Sequence, residues 1–137
     1  MEIQFIHRED HSDPLSATLG VLEFANIPFV PRRLYWITDF MMGTSRGNHA
    51  HKSLNQIMLM ARGSLQLVLN HGEKRTIIEM HQKSDYILIP AGYWREMRNA
   101  SRDATLLVIA DAEYLEEDYI RNWGDYLNWF SKAHYAN

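Results

Sequence analysis

Two histidines, His49 and His51, stand two residues apart in the stretch Arg46-Gly47-Asn48-His49-Ala50-His51-Lys52. On an extended strand, residues i and i+2 face the same side. Both imidazoles therefore point together, with Ala50 on the opposite face. Imidazole titrates near physiological pH, so it both takes and gives a proton. Two of them on one strand face suit a reaction that lifts a proton from one atom and returns it to a neighbour. The plainer alternative is that both rings donate to interior backbone. The company of Arg46, Lys52 and Tyr35 argues for chemistry.

The elements that must position this pair read as strands. Ile3-Gln-Phe-Ile6, Leu19 to Phe24, Arg32 to Phe40, Gln56 to Arg62, Ser64 to Asn70, Lys74 to Met80, Asp85 to Pro90, Tyr93 to Arg98 and Ala104 to Ala110 have the β-branched, aromatic or alternating content of strands. Turn signals fall between them at Asp13-Pro14, His71-Gly72-Glu73 and Pro90-Ala-Gly92. His7 to Ser16 is polar and reads as a loop, and Arg46-Gly47 reads as a bend. From Glu116 to about Lys132 the apolar residues Tyr119, Ile120, Trp123, Tyr126, Leu127 and Phe130 step by threes and fours. That is a helical stripe, with a break near Gly124 and Asp125 as a fresh N-cap. Its expected place is against the body of the domain. Many short strands with frequent turns indicate an all-β sandwich or barrel over residues 1–137, with a short C-terminal helical tail.

Composition narrows the function. The chain has 137 residues, 46% of them hydrophobic and 23% charged, which is an ordinary globule of one domain. A formal charge of −3 argues against a nucleic-acid coat. The absence of cysteine excludes disulfides, thiol catalysis and zinc-thiolate centres. The opening Met1-Glu-Ile-Gln-Phe-Ile has no basic leader and no run of about 18 apolar residues follows, so neither a signal peptide nor a membrane span is expected. The expected location is cytoplasmic.

Two longer spacings carry a resemblance. Gly43, five residues, His49-Ala50-His51, four residues, Gln56, six residues, Gly63 is similar to the first cupin motif; Pro90-Ala-Gly92, two residues, Arg95, three residues, Asn99 is similar to the second. The resemblance implies an RmlC-like jelly-roll barrel. In cupins, two histidines and a glutamate from the first motif and a histidine from the second bind a metal. Here Gln56 and Arg95 replace the last two. Arginine cannot become a ligand, and glutamine offers only a neutral carbonyl. A metal-free site is therefore expected, with no cofactor.

Arg33-Leu-Tyr35-Trp-Ile, Arg46-Gly-Asn-His49-Ala-His51-Lys52, Trp94-Arg-Glu-Met97 and Asp118-Tyr-Ile-Arg121 resemble the dTDP-4-keto-6-deoxyglucose 3,4-ketoisomerases, over nearly the whole chain. The resemblance implies a homodimer with exchanged N-terminal strands, metal-free catalysis, and His49 and His51 as the acid/base pair with Tyr35 nearby. The chemistry suits the residues. A ketone at C4 acidifies the C3–H bond. A base takes that proton to give an enediol, and protonation at C4 leaves the ketone at C3. Tyr35 is a candidate donor to the developing enolate oxygen. Arg33 and Arg46 suit the diphosphate, and Lys52 adds charge or is a solvated surface lysine. Gln56 bonds a sugar hydroxyl or orders His49 or His51. Arg95 stands where these isomerases usually carry histidine, and contacts sugar or phosphate. The expected partner is a dTDP-linked 4-keto-6-deoxy sugar, whose 3-keto product would pass to an aminotransferase. Two other readings stay open: a metal-dependent cupin using His49, His51 and an unusual third ligand, and a non-catalytic nucleotide-sugar-binding cupin.

Overall fold

A computed structural model describes residues 1–135. Its strands are β1 (Gln4–Ile6), β2 (Glu9–Ser12), β3 (Thr18–Val21), β4 (Arg33–Ile37), β5 (Arg46–His51), β6 (Gln56–Arg62), β7 (Ser64–His71), β8 (Lys74–His81), β9 (Tyr86–Ile89), β10 (Trp94–Arg98), β11 (Thr105–Ala110) and β12 (Tyr119–Ile120), followed by helix α1 (Trp123–Tyr135). Two five-stranded sheets carry the fold, one in the order β1-β9-β6-β11-β4 and the other in the order β12-β5-β10-β7-β8. They face one another as a jelly-roll sandwich, open at the edges, so the expected barrel is not a closed one.

Period-2 alternation explains the packing. Leu65, Leu67 and Leu69 of β7 meet Met58 and Met60 of β6 and Leu106 and Val108 of β11 between the sheets. The alternate residues of β5 and β10 point outward: Ala50 and Trp94 pack with Ile120, Tyr126 and Phe130, so α1 covers the outer face of the second sheet. The Tyr126 hydroxyl fastens the helix there, its one proton shared between the carbonyls of Asn70 and Gly92, each at 2.9 Å, while its oxygen accepts from the Gly72 amide.

Three expectations are corrected. The helical tail starts at Trp123, not near Glu116; residues 116–118 form a single 3-10 turn and Tyr119–Ile120 is a strand. Pairing of Tyr119 with His51 and of Ile120 with Ala50 takes these residues into the sheet instead. Gly124 lies within the helix, and the cap is Asn122, whose side-chain oxygen accepts from the Asp125 amide at 2.9 Å. The polar stretch after His7 contains β2, which pairs with β3 as a separate two-stranded ribbon.

Candidate active site

β5 places the two imidazoles. Opposite it, the register on β10 jumps between Arg95–His49 and Glu96–Gly47, leaving Asn48 as an extra, bulged residue. Gly47 at φ +99° and Asn48 at φ +46° are the residue types that tolerate such angles. The bend foreseen at Arg46-Gly47 is thus a bulge inside the strand, and it aims His49 into a cavity of about 350 Å³ at one end of the sandwich. Arg33 and Tyr35 from β4, Arg46 from β5, Arg95 from β10, and Tyr119 and Arg121 from the C-terminal segment line the same space.

The histidines are not equivalent. His49 lines the cavity, while His51 is fully buried behind it. His49 Nδ1 donates to the Gly47 carbonyl at 2.7 Å, and its Nε2 faces His51 Nε2 at 3.2 Å. His51 Nδ1 donates to Asp118 Oδ2 at 3.0 Å. Asp118 is held in turn by the Ser53 amide at 2.8 Å and the Ser53 hydroxyl at 2.6 Å. Those donors and His51 keep its carboxyl below the usual range, although burial pushes the other way. Burial first, and then the charge of Arg95, lowers His49 to about 4 and His51 to about 3. Both rings are therefore neutral at pH 7. A carbonyl and a carboxylate can only accept, so each ring keeps its one proton on Nδ1. The two Nε2 lone pairs face each other.

Arg95 is fully buried, and its bonds run to neutral groups. It donates to the Gln56 side-chain oxygen and, at 3.1 Å, to the Tyr93 carbonyl. Gln56 Nε2 donates to the Tyr35 hydroxyl at 2.9 Å. Gln56 is likewise buried and does not line the cavity; it touches neither histidine ring in any hydrogen bond of the described residues. Lys52 also lies outside the lining. Its Nζ donates to the Glu117 carbonyl at 3.1 Å, on the exposed side of the segment that carries Asp118. Arg33 lies over the Tyr35 ring at 5.2 Å, and Arg121 over the Tyr119 ring at 4.2 Å.

These residues do not fit a divalent ion. The third position of the cupin set is an amide whose oxygen is taken by a guanidinium, and the fourth is that guanidinium, a donor only. Among the described residues, no three His, Cys, Asp or Glu side chains are grouped to hold a metal.

Sequence reading left Asp118, Tyr119 and Arg121 without a role. Asp118 lies 67 residues from His51, and only the long-range pairing of β12 with β5 brings them together.

Residues 1–131 match the family described as "FdtA: WxcM-like, C-terminal". The chain belongs to this family. Among the FdtA-like relatives is the TDP-4-oxo-6-deoxy-alpha-D-glucose-3,4-oxoisomerase of Aneurinibacillus thermoaerophilus, 30% identical over 96% of this chain and 95% of that one. A 3,4-ketoisomerase from Helicobacter canadensis superposes with a TM-score of 0.88 at 36% identity, over 96% of this chain and 98% of that one. A mutant of the 3,4-ketoisomerase QdtA from Thermoanaerobacterium thermosaccharolyticum, solved with TDP-4-keto-6-deoxyglucose, superposes with a TM-score of 0.90 at 32% identity, over 98% and 97% of the two chains. The resemblance to the sugar 3,4-ketoisomerases read from the sequence therefore stands, and with it the jelly-roll class.

Proposed function

We propose that this chain is a 3,4-ketoisomerase of a TDP-linked 4-keto-6-deoxyhexose, moving the ketone from C4 to C3 by proton transfer without a metal. The carrying observation is His49 on the cavity wall, neutral, with its Nδ1 proton committed to the Gly47 carbonyl and its ring backed by His51 and Asp118.

The C4 carbonyl acidifies the C3 hydrogen, and His49 Nε2 takes it. The resulting imidazolium shares its new proton with His51 Nε2, while Asp118 balances the charge. An enediolate remains on the sugar. Transfer of the O3 proton to O4, and return of the held proton to C4, leave the ketone at C3 and His49 as it began. His51 touches no substrate in this scheme; it stores the proton and orients His49. Tyr35 donates to the enediolate oxygens. Arg33, Arg46 and Arg121 present fixed positive charge to the diphosphate.

A 3-keto sugar offers the carbonyl that an aminotransferase uses, which supports a place in deoxyaminosugar synthesis. The β2–β3 ribbon stands apart from both main sheets and exposes Leu15 and Leu19; this supports exchange of N-terminal strands in a homodimer. No helix of the described residues is long and apolar enough to cross a membrane, which is compatible with work in the cytoplasm, where no nucleic acid or membrane partner is invoked.

Incubation with TDP-4-keto-6-deoxyglucose in heavy water, followed by NMR, tests this. A 3-keto product is expected, with deuterium at C4 to the extent that the proton held on the histidines exchanges with solvent before it returns. Unchanged, undeuterated substrate would rule the isomerase out in favour of a binding protein.

A further inference from the structure

Gln56 reaches neither the cavity nor the histidines, yet its bonds determine what two cavity groups offer. A guanidinium only donates, so the Gln56 side-chain oxygen must face Arg95. Its Nε2 then donates to the Tyr35 hydroxyl oxygen at 2.9 Å. That oxygen receives a proton from Gln56, so the Tyr35 O–H is free to turn toward the cavity its residue lines.

Arg95 is the second group. It is fully buried and lines the cavity, and its only hydrogen bonds among the described residues are to an amide and a backbone carbonyl. Its Nε is buried with no partner. A buried cation without a counter-ion is costly, and an unsatisfied buried donor calls for an explanation. A cavity reaction that creates an anion beside it supplies one.

We propose that Arg95 and Tyr35, both set by Gln56, form an oxyanion site for the enediolate, doing with a fixed guanidinium charge and a phenol what a cupin metal would do with a bound cation. This deepens the ketoisomerase reading and rests on it. When the C3–H bond breaks, its proton goes to His49 and its electron pair becomes the C3–C4 double bond. The former carbonyl pair moves onto O4 as an oxyanion. Tyr35 meets that charge on O4 with its hydroxyl, and again on O3 after the hydroxyl proton has crossed between the oxygens, while the fully buried Arg95 guanidinium stabilises it through its fixed charge. Nothing is oxidised or reduced overall. Gln56 is a positioning residue; Tyr35 acts on the reacting atoms, and Arg95 acts on them through its charge.

Gln56→Glu tests the arrangement with almost no change of shape. A carboxylate there pairs with Arg95 and cancels its charge. It also accepts from Tyr35, turning the O–H away from the cavity. Removing one oxyanion donor costs about 10²–10³ in kcat, so a loss of at least about 10² is expected for Gln56→Glu. The Kd for thymidine diphosphate should stay within about twofold, since the diphosphate contacts are untouched. The ¹³Cζ resonance of Tyr35, assigned with Tyr35→Phe, should titrate at higher pH in Gln56→Glu, a readout that needs no turnover. Near-wild-type kcat, or an unmoved Tyr35 titration, would overturn the proposal. If Gln56→Glu fails to fold by circular dichroism, Gln56→Met decides: a kcat loss of about tenfold with intact thymidine diphosphate binding is expected, and unchanged kcat overturns it. Absence of turnover in the unaltered protein would refute the ketoisomerase reading instead, and the two failures are told apart.

Discussion

The Nε2 atoms of His49 and His51 face each other across 3.2 Å, and at neutral pH neither carries a proton. Each ring has one proton, committed on the far side to Gly47 or Asp118. The gap between the rings is therefore a place for one more proton, reached through His49 from the cavity. In the proposed reaction the two imidazoles, wired in series, would act as a single base with a reservoir behind it. The symmetric picture of two rings side by side, one acid and one base, does not describe this geometry.

Asp118→Asn should invert the wiring. The Ser53 amide and hydroxyl both donate to Asp118 Oδ1, so an asparagine keeps its oxygen there and turns its NH₂ toward His51 Nδ1. That ring must then carry its proton on Nε2 and donate it to His49, occupying the base. A loss of roughly 10⁴ in kcat is expected by analogy with the wrong-tautomer substitution of a buried triad carboxylate. Thymidine diphosphate affinity should hold. Nitrogen-15 spectra of the His51 ring should show the proton moved from Nδ1 to Nε2.

Stability should rise with pH between about 4 and about 6.5. Burial, and then Arg95, depresses His49 to about 4 in the folded chain, whereas an unfolded histidine titrates near 6.5. In that window the unfolded state binds more protons, so the slope of unfolding free energy against pH is positive. His51, lowered to about 3, acts in the same sense. Above about pH 7 this contribution is flat. Activity should keep its base form to about pH 5, and Arg95→Met should move the acid limb of kcat/KM upward. Thermal melts and pH–rate profiles check both.

The parity of the site was legible because it is local. Strand period alone put His49 with His51 and Ala50 on the other face, and set Arg95 with Tyr93 and Met97 opposite Trp94. The motif spacings, with Gln56 and Arg95 in ligand positions, pointed to the cupin class. What stayed hidden is long-range or unpatterned. Asp118 has no local signal tying it to His51. Tyr119 and Ile120 fit a helical stripe by spacing, yet the open edge of β5 takes them as a strand. β2 lies in a ribbon solvated on both sides, so it shows no alternation of apolar and polar residues. Gln56 read as a sugar or histidine contact because its partners, Arg95 and Tyr35, lie 39 and 21 residues away.

The basic residues around the mouth should separate by position. Arg46 lines the cavity, and Lys52 is spent on the Glu117 carbonyl outside it. Charged hydrogen bonds contribute about 1.5–3 kcal/mol, so Arg46→Met should raise KM roughly 10- to 100-fold, and less at high salt. Lys52→Met should change KM by less than about threefold. Steady-state kinetics at two ionic strengths decide the order of the two effects.

Gly47→Ala should damage both stability and the base. Gly47 sits at φ +99°, where side chains are strained, and an added Cβ would lie 3.1 Å from the Arg95 carbonyl oxygen and 3.1 Å from Met97 Cε. Strain of this kind costs about 1–3 kcal/mol, which should lower the Tm by several degrees. Any relief by rotation of the peptide moves the Gly47 carbonyl, the acceptor that keeps the His49 proton on Nδ1. The ring is then free to exchange tautomers, and kcat should fall with the Tm. Gly43 is the control. It too has a positive φ, +73°, but nothing lies within 4 Å of an added Cβ. Gly43→Ala therefore meets only the backbone term, about 1–2 kcal/mol, and should leave kcat intact. Equal kcat losses in the two variants would show that the bulge does not govern His49.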